Sequence, residues 1–199
     1  MTGQSPATKT KKTVPAVMNR ALLFKALKHV LKGGLSFPGG HIPPSSHTVP
    51  QDFTGVGVAA SDDPAVDDYI VNQLQALGVR NVRIDVSYGD ENGPTARLLR
   101  KLLHTQLQVV VHLVQPFDDA FTMAEPASQE KWQQFVTTVC REFGRGLFAI
   151  EVGSTINRRR WAGYNTEGFF AAWDIAHQII KSHGITLIGP NISDFEPFY

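Results

Sequence analysis

The densest grouping of chemically capable side chains lies in Ile150–Trp161, IEVGSTINRRRW. An apolar run that includes Glu151 gives way to the polar residues Ser154, Thr155 and Asn157, whose hydroxyl and amide groups can donate and accept hydrogen bonds. Arg158, Arg159 and Arg160 follow at once. Guanidinium groups grip carboxylate or phosphate through two parallel hydrogen bonds, so the run reads as an anion pocket or, more plainly, as a solvated surface. Trp161 ends the segment and, like Tyr88, offers a flat ring that either stacks on a ligand ring or packs a loop. Arg83 and Asp85 are two residues apart on a strand pattern and therefore share one face. Their first reading is a support pair. Gln115, at the exit of the next strand, is placed to bond a hydroxyl.

Acids that could move a proton are few. Glu151 precedes the polar junction, while Asp118, Asp119 and Glu125 fall in a long loop after the third strand pattern. Asp194 and Glu196 follow the fifth. Glu151, Asp194 and Glu196 are the candidate catalytic carboxylates. His112 lies mid-strand and reads as a hydrogen-bonded core residue. No second His stands at metal-ligand spacing, so neither metal nor cofactor is expected. Cys140 is the only cysteine and sits among apolar residues of a helix pattern, where a small hydrophobe is the ordinary reading.

The 199 residues are 42% apolar and 19% charged, enough for the core of one domain. Their charge is divided unevenly. Residues 1–51 hold Lys9, Lys11, Lys12, Arg20, Lys25, Lys28 and Lys32 and no acid, which leaves 12 of the 19 basic residues facing all 18 acidic ones. A basic arm precedes an acidic domain, with the boundary expected near residue 50. No apolar run approaches the ~20 residues of a membrane span, and no secretory signal is visible, so a cytoplasmic address is expected.

The elements that must position these side chains follow from periodicity. Residues 1–15 are expected to be disordered. Val17–Lys32 can form a helix with Leu23, Leu27, Val30 and Leu31 on one side and Lys25, Lys28 and Lys32 on another. Gly33-Gly34 stops it, and Leu35–Pro50 reads as a linker. Strands are expected at Phe53–Ala60, Asn81–Val86, Gln108–Val114, Leu147–Val152 and Ile185–Gly189. Between them stand helices opened by Asp63-Pro64, Pro94, Ser128 and Thr166. The first carries Val66, Ile70, Leu74 and Leu77 as its apolar stripe and ends at Gly78. Short, β-branched strands alternating with amphipathic helices argue a parallel sheet buried on both faces. A doubly wound open sheet and an eight-stranded barrel both fit that alternation. No G-x-G-x-x-G follows a strand, which weakens the nucleotide-binding version of the open sheet.

Three junctions resemble the clan A glycoside hydrolases, in particular the xylosidase/iduronidase type. LGVRNVRIDVSYGD (Leu77–Asp90) resembles the second-strand segment, with Arg83 at the position of a site-supporting arginine. IEVGSTINRRRW resembles the fourth-strand segment E-(I/V)-G-N-E-P-N, and ITLIGPNISDF (Ile185–Phe195) resembles the fifth strand with its Gly-Pro exit. The resemblance covers residues 53–199 and implies an incomplete (β/α)8 TIM barrel, about the first five strands and four helices, behind a basic N-terminal extension.

In that family the Glu of the fourth-strand motif is the acid/base and a second carboxyl at a seventh strand is the nucleophile, about 5–5.5 Å away in retaining enzymes. Here Ser154-Thr155 replaces the Asn-Glu pair, and five strands do not reach a seventh. The resemblance thus implies a protein that contacts a saccharide, acidic or phosphorylated, through Arg83, Asp85, Gln115, Ser154, Thr155, Asn157, Arg158 and Trp161. Hydrolysis by the usual route is not expected. The alternatives are an active glycosidase with a relocated acid, Asp194 or Glu196, or in a longer chain, and a protein that docks on an anionic membrane surface through residues 17–32. Nucleic acid is not expected, since the basic residues lack interleaved aromatics. Unpaired edges on strands one and five invite self-association.

Overall fold

The computed structural model describes residues 54–192 together with Phe24, Leu27, Lys28 and Leu31. The chain divides into two compact units, Met1–Gly40 with Glu196–Tyr199, and His41–Phe195. The expected linker and most of the basic arm lie outside the described residues. In the first unit Phe24, Leu27, Lys28 and Leu31 are helical and exposed.

In the second unit five strands form one parallel sheet: β1 Gly55–Val58, β2 Asn81–Ser87, β3 Gln108–Val114, β4 Ala149–Val152 and β5 Thr186–Ile188. Their order is β1-β2-β3-β4-β5, each strand beside its predecessor. A doubly wound sheet reverses strand order at a switch point. No reversal occurs among these five strands, and the architecture is consistent with part of an α/β barrel.

The helices are α1 Pro64–Ala76, α2 Pro94–Leu103, α3 Phe117–Phe121, α4 Pro126–Phe143, α5 Arg159–Ala162 and α6 Thr166–Ser182. Asp63 caps α1 by accepting from the Ala65 amide at 2.9 Å, with Pro64 at the first helical position where its missing N–H is no loss. Gly78 follows the helix end at φ +66°. Asn165 caps α6 through the Gly168 amide at 2.6 Å. Two expectations are corrected. The stretch after β3 is not a long loop: Pro116 leads into α3, and α4 starts at Pro126 rather than Ser128, because proline is pre-set for the first turn. Leu77 is not part of the α1 stripe; it is the C-terminal cap and stands 74% exposed.

The core lies between the sheet and the helices. Val82, Ile84 and Val86 of β2, Val109, Val111 and Leu113 of β3, and Ile150 and Val152 of β4 are buried with Leu98, Leu99, Leu102, Trp132, Val136 and Ile180 of the helices. Full burial of each such aliphatic side chain contributes about 1.5–3 kcal/mol. The Trp132 indole N–H donates to the Ala172 carbonyl at 2.8 Å and ties α4 to α6. Asp67 of α1, wholly buried, takes Arg97 Nε of α2 at 2.6 Å, and Arg97 Nη2 donates to the Ser61 carbonyl at 2.6 Å. The adjacent carboxylate raises the Arg97 pKa further.

The expectation of two apolar sheet faces is also corrected. On β2 the apolar residues alternate with Arg83 and Asp85, so the helix-covered face is apolar and the opposite face carries charge.

Candidate functional site at the charged sheet face and the strand exits

Register places the charges. Asp85 pairs with His112 and His112 with Glu151, so three ionisable residues stand in one row across β2, β3 and β4. Arg83 lies two residues before Asp85 on the same face. Its guanidinium reaches all three: Nη1 is 2.8 Å from Asp85 Oδ1, Nε donates to Glu151 Oε2 at 2.7 Å, and Nη2 is 2.6 Å from His112 Nδ1. Burial grades along the row. Side-chain exposure is 57% at Asp85, 35% at Arg83, 13% at Glu151 and 1% at His112.

His112 Nδ1 also lies 3.1 Å from Asp85 Oδ1. Arginine has only donors, so the shorter contact makes Nδ1 an acceptor, whereas the Asp85 contact needs an N–H there. The two contacts therefore belong to alternative ring tautomers. Nε2 is buried with no hydrogen-bond partner in either case. A hydrogen bond from His112 lowers the Asp85 pKa below the usual carboxylate range. Partial burial opposes it, and the Arg83 charge adds to it. Asp85 is thus an anion at neutral pH and has no proton to give. Asp85 and Glu151 are both held by the Arg83 guanidinium, which links them across the row.

Above this row the β3 exit holds a second group. Gln115 is buried; its amide donates to the Tyr88 hydroxyl at 3.0 Å and to Met123 Sδ at 3.1 Å, and its carbonyl accepts from the Tyr164 hydroxyl. Tyr88 packs edge-on against Phe135, with ring centroids 4.9 Å apart, and carries the Lys131 ammonium 4.5 Å from its ring centroid. Burial pushes the Tyr88 phenol up to about 12 and the Tyr164 phenol upward as well. Gln115 thus meets hydroxyls of the protein itself, and Tyr88 is packed within the fold.

The β4 exit forms the third group. Gly153 adopts φ +100°; a Cβ there would come within 2.8 Å of the Phe169 ring and 3.1 Å of Ile156. Glycine lets the chain turn off the strand at that point. Thr155 follows at φ +44°, among the described residues the only non-glycine with positive φ. A β-branched residue is an outlier in that region. Its carbonyl accepts from the Arg158 amide at 2.7 Å. Beyond it, Arg159–Ala162 is a single helical turn rather than loop. It presents Trp161 at 71% exposure, with the Arg158 guanidinium 5.0 Å from the indole ring centroid. The Asn191 amide donates to the Gly153 carbonyl at 2.9 Å and joins the β4 and β5 exits.

Of the expected site residues, Arg83, Asp85 and Glu151 are brought together on the sheet face. Ser154, Thr155, Asn157, Arg158 and Trp161 all lie within eight residues of the β4 exit, and Gln115 belongs to the Tyr88–Tyr164 group. Asp118 and Asp119 are on α3, and Lys131 holds Asp119 at 2.6 Å. Asp194 and Glu196 lie outside the described residues. Tyr164 and Met123, which fix Gln115, carry no sequence signal. His112 is legible as a bonded core histidine but its partner Arg83 is not. Cys140 is buried, which pushes its thiol up to about 11. Among the described residues no three His, Cys, Asp or Glu side chains are grouped to hold a metal ion. Two open hollows of about 430 and 590 Å³ lie at the other end of the sheet and share Gly78, Val79 and Arg80. No helix among the described residues is long and apolar enough to cross a membrane.

No protein-family model and no curated protein matches this chain. Among solved structures, the virulence factor SghA from Agrobacterium tumefaciens is similar at 14% identity and a TM-score of 0.43, over 62% of this chain and 35% of that one. The chain therefore spans about a third of that structure's length.

Proposed function

We propose that this chain is a glycoside-hydrolase-like part-barrel that binds a saccharide at its strand exits and does not hydrolyse it by the two-carboxylate route. The observation that carries the reading is the fate of the acids. At the β4 exit, where the resembled motif keeps its acid/base, Thr155 supplies a hydroxyl in a left-handed conformation. Asp85 and Glu151, the carboxyls on the sheet face, are both held by one guanidinium at 2.8 and 2.7 Å. Carboxyls that work on a glycosidic bond flank it with room for the sugar or a water. Here Arg83 is paired with both. Trp161, exposed beside Arg158, is the stacking surface of the reading, and the arginines of the β4 exit favour an acidic or phosphorylated saccharide.

Two measurements test this together. Nitrophenyl glycosides of both anomeric series are incubated with the full chain, and carboxylated and neutral oligosaccharides are titrated by saturation-transfer NMR. Turnover at the background rate, with saturation transfer that Trp161→Ala removes, is the expected result. Hydrolysis that disappears in Thr155→Ala or Glu151→Gln would overturn it.

A further inference from the structure

We infer that the helix containing Phe24, Leu27 and Leu31 docks on an anionic lipid surface. These three side chains are 72%, 54% and 77% exposed, an uncommon state for large apolar residues of one helix. Their spacing of three and four residues puts them on a single face. Lys28, also helical and exposed, lies at the border of that face. In sequence, Lys25 and Lys32 flank Lys28 and add two further positive charges to this stretch. A long lysine stem at such a border buries its methylenes and keeps its ammonium with the headgroups.

Charge selects the occupant. Residues 1–51 contain seven Lys and Arg and no Asp or Glu. A second copy of the helix would bring two such basic segments together, which repel. An anionic membrane supplies the opposite sign and an apolar interior in one partner, and a basic amphipathic helix lies in that boundary with its apolar face down.

The full chain is tested by co-sedimentation with vesicles of phosphatidylcholine alone and of phosphatidylcholine mixed with phosphatidylglycerol. Binding to the mixed vesicles only is expected, weakened by added salt as the surface charge is screened. The variant F24E/L31E lowers partitioning at least about tenfold through the apolar face, and K25Q/K28Q/K32Q does so through charge. Both keep the wild-type thermal melt of the folded unit. Equal binding to neutral vesicles, no binding to either, or undiminished binding of F24E/L31E overturns the inference. So does a dimer in light scattering that F24E/L31E dissociates while vesicle binding is absent, because the face is then a seam between copies.

Discussion

Replacing Arg83 by methionine should destabilise the folded unit through Glu151 rather than through Asp85. The guanidinium makes three contacts whose burial differs, so their contributions differ. Glu151 is 13% exposed, and a charge-assisted hydrogen bond there is worth about 1.5–3 kcal/mol. Asp85 is 57% exposed, and an ion pair so screened is worth about 0–1 kcal/mol. The contact with His112 adds about 1 kcal/mol as an ordinary hydrogen bond. Arg83 is itself 35% exposed and methionine refills part of its stem, so a net loss of about 2–3 kcal/mol is expected. For a domain of this size that lowers the melting temperature by about 5–10 °C. Urea unfolding of Arg83→Met, Glu151→Gln, Asp85→Asn and the two doubles closes two mutant cycles. The Arg83–Glu151 coupling should exceed about 1 kcal/mol, with Arg83–Asp85 near about 0.5 kcal/mol or less. A loss below about 0.5 kcal/mol in Arg83→Met, the usual range for a surface change, would refute the reasoning, as would the opposite ranking of the couplings.

Acid sensitivity follows from Asp85. Its folded pKa lies below the unfolded value of 3.8, so the stabilisation is complete above pH 3.8 and is lost as pH falls through the lower folded value. Asp85→Asn should therefore flatten the stability–pH curve below pH 3.8 and leave its shape above unchanged; an unaltered acid limb in urea titrations contradicts this. Thr155→Gly should stabilise by about 0.5–1 kcal/mol, since the left-handed strain it removes outweighs the entropy glycine adds to the unfolded chain. A lower melting temperature in that variant argues against strain. Gly163→Ala should destabilise by more than about 2 kcal/mol, because φ is +81° and the new Cβ would stand 2.5 Å from the Phe117 carbonyl oxygen where α5 meets α3. Denaturation that matches wild type removes that close approach from the account.

The sheet and its four long helices are legible from periodicity because each strand is short and β-branched and each helix carries an apolar stripe. Gln108–Val114 is recovered to the residue, and Asp63, Pro64 and Thr166 mark helix starts where they stand. What escapes is what depends on neighbours distant in sequence. Nothing local in the sequence pairs Asp67 with Arg97, yet Asp67 is fully buried because α1 and α2 close on the pair. His112 and Glu151 are 39 positions apart in number and adjacent only through the β3–β4 register. Tyr164 meets Gln115 through a fold-back of the β4 exit that no local pattern announces. The chemistry-bearing segment Ile150–Trp161 stands out by composition alone. That Gln115 meets the protein's own hydroxyls while Trp161 is left exposed is a matter of packing.

The single guanidinium spanning three strands also acts on assembly. A sheet whose side chains alternate can slide by one residue and still pair its backbone, but every side chain then changes face. If β3 moved one place along β2, Val111 or Leu113 would stand against the Arg83 fork, and His112 would be driven into the layer beneath the helices. The fork would lose an acceptor, and an imidazole would enter apolar surroundings. Arg83 thereby works as a key that turns in one alignment of the strands, so its influence should be felt in how uniquely the sheet forms as well as in how firmly it holds.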